Sequence, residues 1–300
     1  MLTISSANAT TYKFGLSENH YATTCRKATN IVLKVVKDIY KSGGCDASAL
    51  IKSTPGNLAE VDGEPNKNSL EGFEFIDQIK AAVEAVCPRV VSCADITALA
   101  ARDALLVSRG FFYPVPLGRR DGVVSKASEA EASLSSNTMN YTALVKNFAA
   151  QGFTAKDMVT LSGAHTIGST HCKKIWGRLY NFSATIKTDP ALSPVYAAIL
   201  KKRCPSSHPQ STTDVLLDPT KGGQFFDSQY YRNVLAGRTG MISDSALIQD
   251  PAGRSLVRSF ASNPSTPFFE EFGKAMVKLG QTKVLTGRKG VIRKVCSRVH

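Results

Sequence analysis

An all-α architecture with little β structure is the fold class this sequence predicts, on three observations. Apolar residues recur at helical spacing over Ile31, Val32, Val35, Val36 and Ile39, over Phe73, Phe75, Ile76, Ile79, Val83 and Val86, and again over Phe268, Phe269, Phe272, Ala275, Met276 and Leu279. Breaks carry the right chemistry: Ser42-Gly43-Gly44, Cys87-Pro88, and Pro264 with Pro267. No alternation of short β runs with helical patterns points to βαβ units.

Taken in order, the first helix is predicted from about Ala28 to Tyr40, and Cys45-Asp46-Ala47-Ser48 reads as a turn whose oxygens suit a hard cation such as calcium. Residues 52–71 have the composition of an extended surface loop. A helix from Phe73 to about Val86 is followed at once by another from about Ser92 to Leu106, so the two should be antiparallel neighbours. Gly110 to Ala127 is not helical by pattern; its Gly118-Arg119-Arg120-Asp121-Gly122 run reads as an ordered turn with an arginine fixed by a carboxylate. Asn140 to Gln151 reads as a helix. Thr154 then resembles an N-cap, with Asp157 in the first turn, for a helix leading toward His165. Gly163 permits close packing beside it. Asp214 to Asp227 reads as a polar connection, with a helix beginning near Gln229.

Composition bounds function less tightly. The 300 residues, 43% of them hydrophobic, suffice for a substantial core, which excludes a disordered chain. Lysine and arginine number 37 against 24 acids, a formal charge of +13, which favours an acidic surface such as a cell-wall polymer. The basic residues are dispersed, and no zinc-finger spacing or compact basic helix accompanies them, so no specific nucleic-acid partner is expected. No charge-free apolar run is long enough to span a membrane.

Seven cysteines, at 25, 45, 87, 93, 172, 204 and 296, lack the close pairing of a structural zinc site and read as long-range disulfides of an oxidising compartment. Seven is odd, which leaves one thiol unpaired or bonded between chains. Sequons at Asn8, Asn140 and Asn181 agree with secretion and glycosylation. Met1 to Thr11 shows neither a basic leader nor an apolar core, and an incomplete or altered coding segment reconciles that with the cysteines. A hydrolase is the poorer alternative, since Gly-X-Ser-X-Gly, His-Glu-X-X-His and close Cys-His arrangements are lacking.

The stretch Asp157 to Gly168, with Leu161-Ser162-Gly163-Ala164-His165-Thr166 at its centre, resembles the proximal haem-ligand segment of plant secretory (class III) haem peroxidases. So do Val91 to Ile96, Ala100-Ala101-Arg102-Asp103, Pro116 to Gly122 and Arg178 to Phe182, in the family order. The resemblance implies a single domain over 12–300 with two closely packed helical halves, a haem b bound through His165, and Asp244 accepting the other imidazole hydrogen. It implies hydrogen peroxide as oxidant and small phenols as donors, disulfides Cys25–Cys87, Cys93–Cys296 and Cys172–Cys204, a secreted or cell-wall location, and a monomer. A proximal calcium would take Thr166, Asp218, Thr220 and Asp227. A distal one would take Asp46, Ser48 and the Gly44 carbonyl, with Glu60 supporting through water. Asn66 resembles the residue that orients the distal histidine, and Ser135 stands where relatives place a proline at the substrate edge.

One departure governs the expected activity. Family members carry Arg-Leu-His-Phe-His-Asp-Cys-Phe before the segment matching Gly44 to Ser48; here Lys41-Ser42-Gly43 leads straight into it, so the distal catalytic segment is missing between 41 and 44. Cleaving peroxide needs a base to move its proton and a cation to stabilise developing charge, and the distal histidine and arginine that do this in relatives are absent. Cys45 loses its partner in the same event. No residue of the chain is assigned as catalytic, and the expectation is a catalytically impaired relative. A non-catalytic haem-binding or cell-wall association protein is the alternative.

Overall fold

The computed structural model describes residues 12–40, 50–64, 66–67, 72–262 and 264–298. Among these run twelve α-helices and one small sheet. The first group comprises α1 (Ala28–Tyr40), α2 (Phe73–Glu84) and α3 (Cys93–Val107); the middle holds α4 (Ala127–Ser133), α5 (Tyr141–Ala150) and α6 (Ala155–Ser162). Beyond them lie α7 (Cys172–Tyr180), α8 (Pro194–Arg203), α9 (Gln229–Leu235), α10 (Ile242–Ala246), α11 (Pro251–Phe260) and α12 (Thr266–Leu279). Strand β1 (Ser169–His171) pairs antiparallel with β2 (Asp214–Leu216), Thr170 opposite Val215.

The helical periodicities do the packing their spacing requires. Val32 and Val36 of α1, Ile76, Ile79 and Val83 of α2, and Ile96 and Leu99 of α3 are buried in one cluster, and α1 packs against both α2 and α3. A buried aliphatic side chain of this size contributes about 1.5–3 kcal/mol. The same cluster runs on through Met158 and Val159 of α6, Tyr230 and Tyr231 of α9, Val257 and Phe260 of α11, and Phe268 and Phe272 of α12, so both halves share one core. A smaller core joins α7, α8 and Val215 of β2.

Disulfides tie the ends. Cys25 is joined to Cys87, Cys93 to Cys296 and Cys172 to Cys204. The second closes a loop of 203 residues and fastens the carboxyl-terminal segment to the start of α3. Nearby, Asp121 accepts from the Ala94 and Arg293 amides, and the Arg119 guanidinium meets Asp95 at 2.8 Å, the fixed arginine expected of that turn.

Several sequence expectations need correction. Asp214–Leu216 is a strand rather than plain connection, because its partner β1 lies immediately beyond the His165 turn. Helix α2 stops at Glu84, before Val86, whose side chain is exposed. Asn140 is the N-cap of α5, its side chain accepting from the Ala143 amide.

Candidate functional site

The region around His165 is built by α6 and the turn that ends it. Thr154 caps α6 reciprocally with Asp157: the Thr154 hydroxyl accepts from the Asp157 amide at 3.1 Å, and the Asp157 carboxylate from the Thr154 amide at 2.8 Å. Asp157 also takes the Lys278 ammonium at 2.6 Å, which fastens α6 to α12. Burial would raise the Asp157 pKa, but the Lys278 and Thr154 hydrogen bonds outweigh it and hold the carboxyl below its ordinary value.

At its other end α6 tightens into a 3-10 turn, Gly163–Thr166, which carries His165. Gly163 is where the chain passes closest to its neighbours. A Cβ there would lie 2.5 Å from both the Phe268 ring and the Tyr231 hydroxyl, and that hydroxyl donates to the Val159 and Thr160 carbonyls. Only hydrogen fits.

His165 faces Asp244 through Nδ1, 2.9 Å from Oδ1. Asp244 is 2% exposed while the His165 side chain is 36% exposed, so the imidazole is anchored on its buried edge and open on the other. Among the described residues no hydrogen bond engages Nε2. Desolvation would lower the imidazole pKa, yet the charge and hydrogen bond of Asp244 together hold it above the ordinary value. In the neutral ring, with Nδ1–H donated to a carboxylate, Nε2 carries the lone pair, the tautomer a metal requires.

Asp244 is itself held in place. It sits in α10, a five-residue helix. Arg178 of α7, 3% exposed, pins the flanking chain: its guanidinium pairs with Asp189 at 2.7 Å and donates to the Thr239 and Met241 carbonyls, each at 2.7 Å, and to the Ser245 hydroxyl. The Tyr230 hydroxyl donates to Asp244 Oδ1 at 2.8 Å.

One residue past His165, the fully buried Thr166 hydroxyl lies 3.3 Å from the Phe225 carbonyl and 3.5 Å from both Asp218 Oδ2 and Asp227 Oδ1. These distances exceed those of a good hydroxyl hydrogen bond, and one proton cannot serve three acceptors. Two carboxylates and a carbonyl gathered about one hydroxyl are oxygen donors of the class a hard cation takes. They fall short of a cluster of three His, Cys, Asp or Glu, and no such cluster occurs among the described residues. Burial and the nearby Asp227 charge raise the Asp218 carboxyl. The Thr220 amide donates to Asp218 Oδ1 at 2.7 Å, and its hydroxyl faces Asn233, whose amide also holds Oδ1 at 2.8 Å. The Phe225 carbonyl, Asn233 and Tyr230 were missed by sequence reasoning. A backbone carbonyl has no side-chain signature, and an asparagine or tyrosine on a helix more than sixty residues beyond the histidine carries no spacing code.

Gly44, Cys45, Asp46 and Ser48 lie outside the described residues. Asn66, 7% exposed, donates to the Glu60 carbonyl at 2.9 Å, and the Glu60 carboxyl is raised by burial and by Glu129. Ser135 is remote from both groups in hydrogen-bonding terms, its hydroxyl donating to Asn147 at 2.8 Å.

Comparison with known proteins is consistent along the chain. The family model described as Peroxidase matches residues 16–263. Peroxidase 30 of Arabidopsis thaliana is 43% identical over 301 aligned residues, covering 94% of this chain and 90% of that protein. Peroxidase 3 of Arabidopsis thaliana is 44% identical over 301, with 94% and 91% covered, and peroxidase 5 of Vitis vinifera 47% identical over 253, with 84% and 76% covered.

Proposed function

This chain belongs to the peroxidase family, among its plant class III members, and from that premise we propose that it is a haem-binding peroxidase whose peroxide turnover is impaired. The observation that carries the reading is the His165 Nδ1–Asp244 Oδ1 contact of 2.9 Å with the opposite ring edge exposed. His165 would hold the haem iron through Nε2. Haem, when bound, supplies the redox chemistry that couples peroxide reduction to oxidation of small phenolic donors. The chain's own part is to orient: Asp244 fixes the tautomer and raises ligand basicity, Arg178 fixes Asp244, and Gly163 lets the turn seat against Phe268.

The oxygen group around Thr166 supports a calcium ion shared by Asp218, Asp227, Thr166 and the Phe225 carbonyl, with Thr220 shaping Asp218 from behind. The distal calcium, through Gly44, Asp46, Ser48 and Glu60, is kept only as a weak second site, since the first aspartate of the family pattern is missing. Impairment is supported by the sequence itself, which carries no Arg-Leu-His-Phe-His-Asp segment. The domain is then a single unit over 12–300 lacking its distal segment. Three disulfides support a secreted location.

Haem titration tests the binding half of this reading. The wild-type chain should take up one equivalent with the absorption of a histidine-ligated iron, and His165→Ala should abolish that signature; identical spectra from the two would refute it. The formal charge of +13 favours a second reading, retention on acidic cell-wall polymer without turnover. Salt-sensitive binding to polygalacturonate by the haem-free chain would favour it.

A further inference from the structure

Asp244 receives two donors on one oxygen. His165 Nδ1 is 2.9 Å and the Tyr230 hydroxyl 2.8 Å from the same Oδ1, while Oδ2 is buried and has no hydrogen-bond partner among the described residues. Tyr230 is 0% exposed, and its ring stands nearly edge-on to the imidazole, 5.9 Å between centroids at 79°. Its hydroxyl faces a carboxylate and therefore donates. Burial and the Asp244 charge hold the phenol well above its ordinary pKa, which keeps that proton in place.

The helix that presents Tyr230 is fixed at three positions. Tyr231 donates to the Val159 and Thr160 carbonyls of α6, Asn233 donates to Asp218 Oδ1, and Tyr230 reaches Asp244. Helix α9 thus touches the imidazole's carboxylate, the helix that carries the imidazole and the oxygen group beside it. The Tyr230 hydroxyl occupies the oxygen that His165 uses, while Oδ2 goes unused among the described residues.

We propose that Tyr230 is a positioning residue that limits how strongly Asp244 draws the His165 Nδ1 proton. An acceptor oxygen shared by two donors gives less electron density to each, and a low-dielectric site enlarges the effect. Tyr230 would thereby hold the imidazole closer to neutral and restrain its donation to iron, so the inference rests on His165 being the haem ligand.

The test compares wild type, Tyr230→Phe and a variant carrying 3,5-difluorotyrosine at position 230, whose more acidic hydroxyl is the stronger donor in nearly the same shape. In the haem-free full chain the His165 Nδ1 proton resonance should move downfield in Tyr230→Phe and upfield with difluorotyrosine. In the haem-loaded ferrous chain the iron–histidine stretching frequency should rise in the first and fall in the second, with the reduction potential moving negative and positive respectively. If Tyr230→Phe does not fold, the difluorotyrosine chain decides by itself. Resonances and stretching frequencies unmoved in folded variants would overturn the proposal and leave Tyr230 a packing residue. Failure of every chain to take up haem would instead refute the haem reading, while the Nδ1 resonance would still decide whether Tyr230 governs the hydrogen bond.

Discussion

The Thr166 hydroxyl lies 3.3 Å from the Phe225 carbonyl, one residue along from the imidazole of His165. Thr166 of the oxygen group and His165 therefore share a single 3-10 turn, Gly163–Thr166, which couples a cation at the first to the placement of the second. A cation bound only to the folded chain stabilises it by mass action, about 2.7 kcal/mol when present at 100 times its dissociation constant. Calcium should accordingly raise the melting temperature, and Asp218→Asn with Asp227→Asn should remove that response; a melting temperature indifferent to calcium and chelator would contradict the assignment.

The same site has a pH sign. Asp218 is held above its ordinary value by burial and by Asp227, so the cation-free folded chain binds more protons there than the unfolded chain. Its contribution to stability is present below the unfolded pKa and is lost as pH rises through the folded value. Urea unfolding across that window should show stability falling with pH in chelator and falling less in calcium.

Asp157 runs the other way. Its carboxyl is held below the ordinary value because the Lys278 and Thr154 bonds outweigh burial, so its contribution is present above the unfolded pKa and is lost as pH falls through the folded one. Asp157→Asn should cost about 1 kcal/mol at neutral pH, mainly through the capping box, and should flatten the acid limb of the stability curve. An unchanged acid limb would mean the α6–α12 tie contributes nothing.

Gly163→Ala places a methyl 2.5 Å from the Phe268 ring and the Tyr231 hydroxyl. Overpacking of this kind costs about 1–3 kcal/mol. Because the displaced atoms adjoin His165, haem uptake should weaken along with the melting temperature. Gly152→Ala, which meets no atom within 4 Å but has a φ of +87°, provides the contrast of backbone strain without a clash near the histidine.

Arg178→Lys keeps the charge opposite Asp189 and loses the planar fork that reaches Thr239, Met241 and Ser245. Haem retention should fall more than the ion pair alone accounts for, since α10 would no longer be clamped. Equal retention in Arg178→Lys and wild type would separate Asp244 placement from this arginine.

How far the residues alone carried the reading differs by element. Helices α1 and α2 were visible because their buried positions recur every three or four residues, and α6 because Thr154 and Asp157 write a cap into the chain. Helix α8 was not, since Val195 and Ile199 are exposed beside buried Tyr196 and Leu200, and its lysine-rich end masks the face. The β1–β2 pair was hidden by its length of three residues a strand and by a separation of more than forty residues. In the site, His165 and Asp244 came from the family resemblance and meet in space. The Phe225 carbonyl and the Tyr230 hydroxyl depend on tertiary placement that no local pattern encodes.

The central claim is an anchored histidine opposite a missing acid–base pair, and the rate at which peroxide drives phenol oxidation by the haem-loaded chain tests it most directly. Measured beside an intact relative at equal haem content, turnover should be lower by about 10²–10⁴, the scale of lost general acid–base catalysis. A rate equal to that of the relative would contradict the account and require an acid–base group elsewhere in the chain.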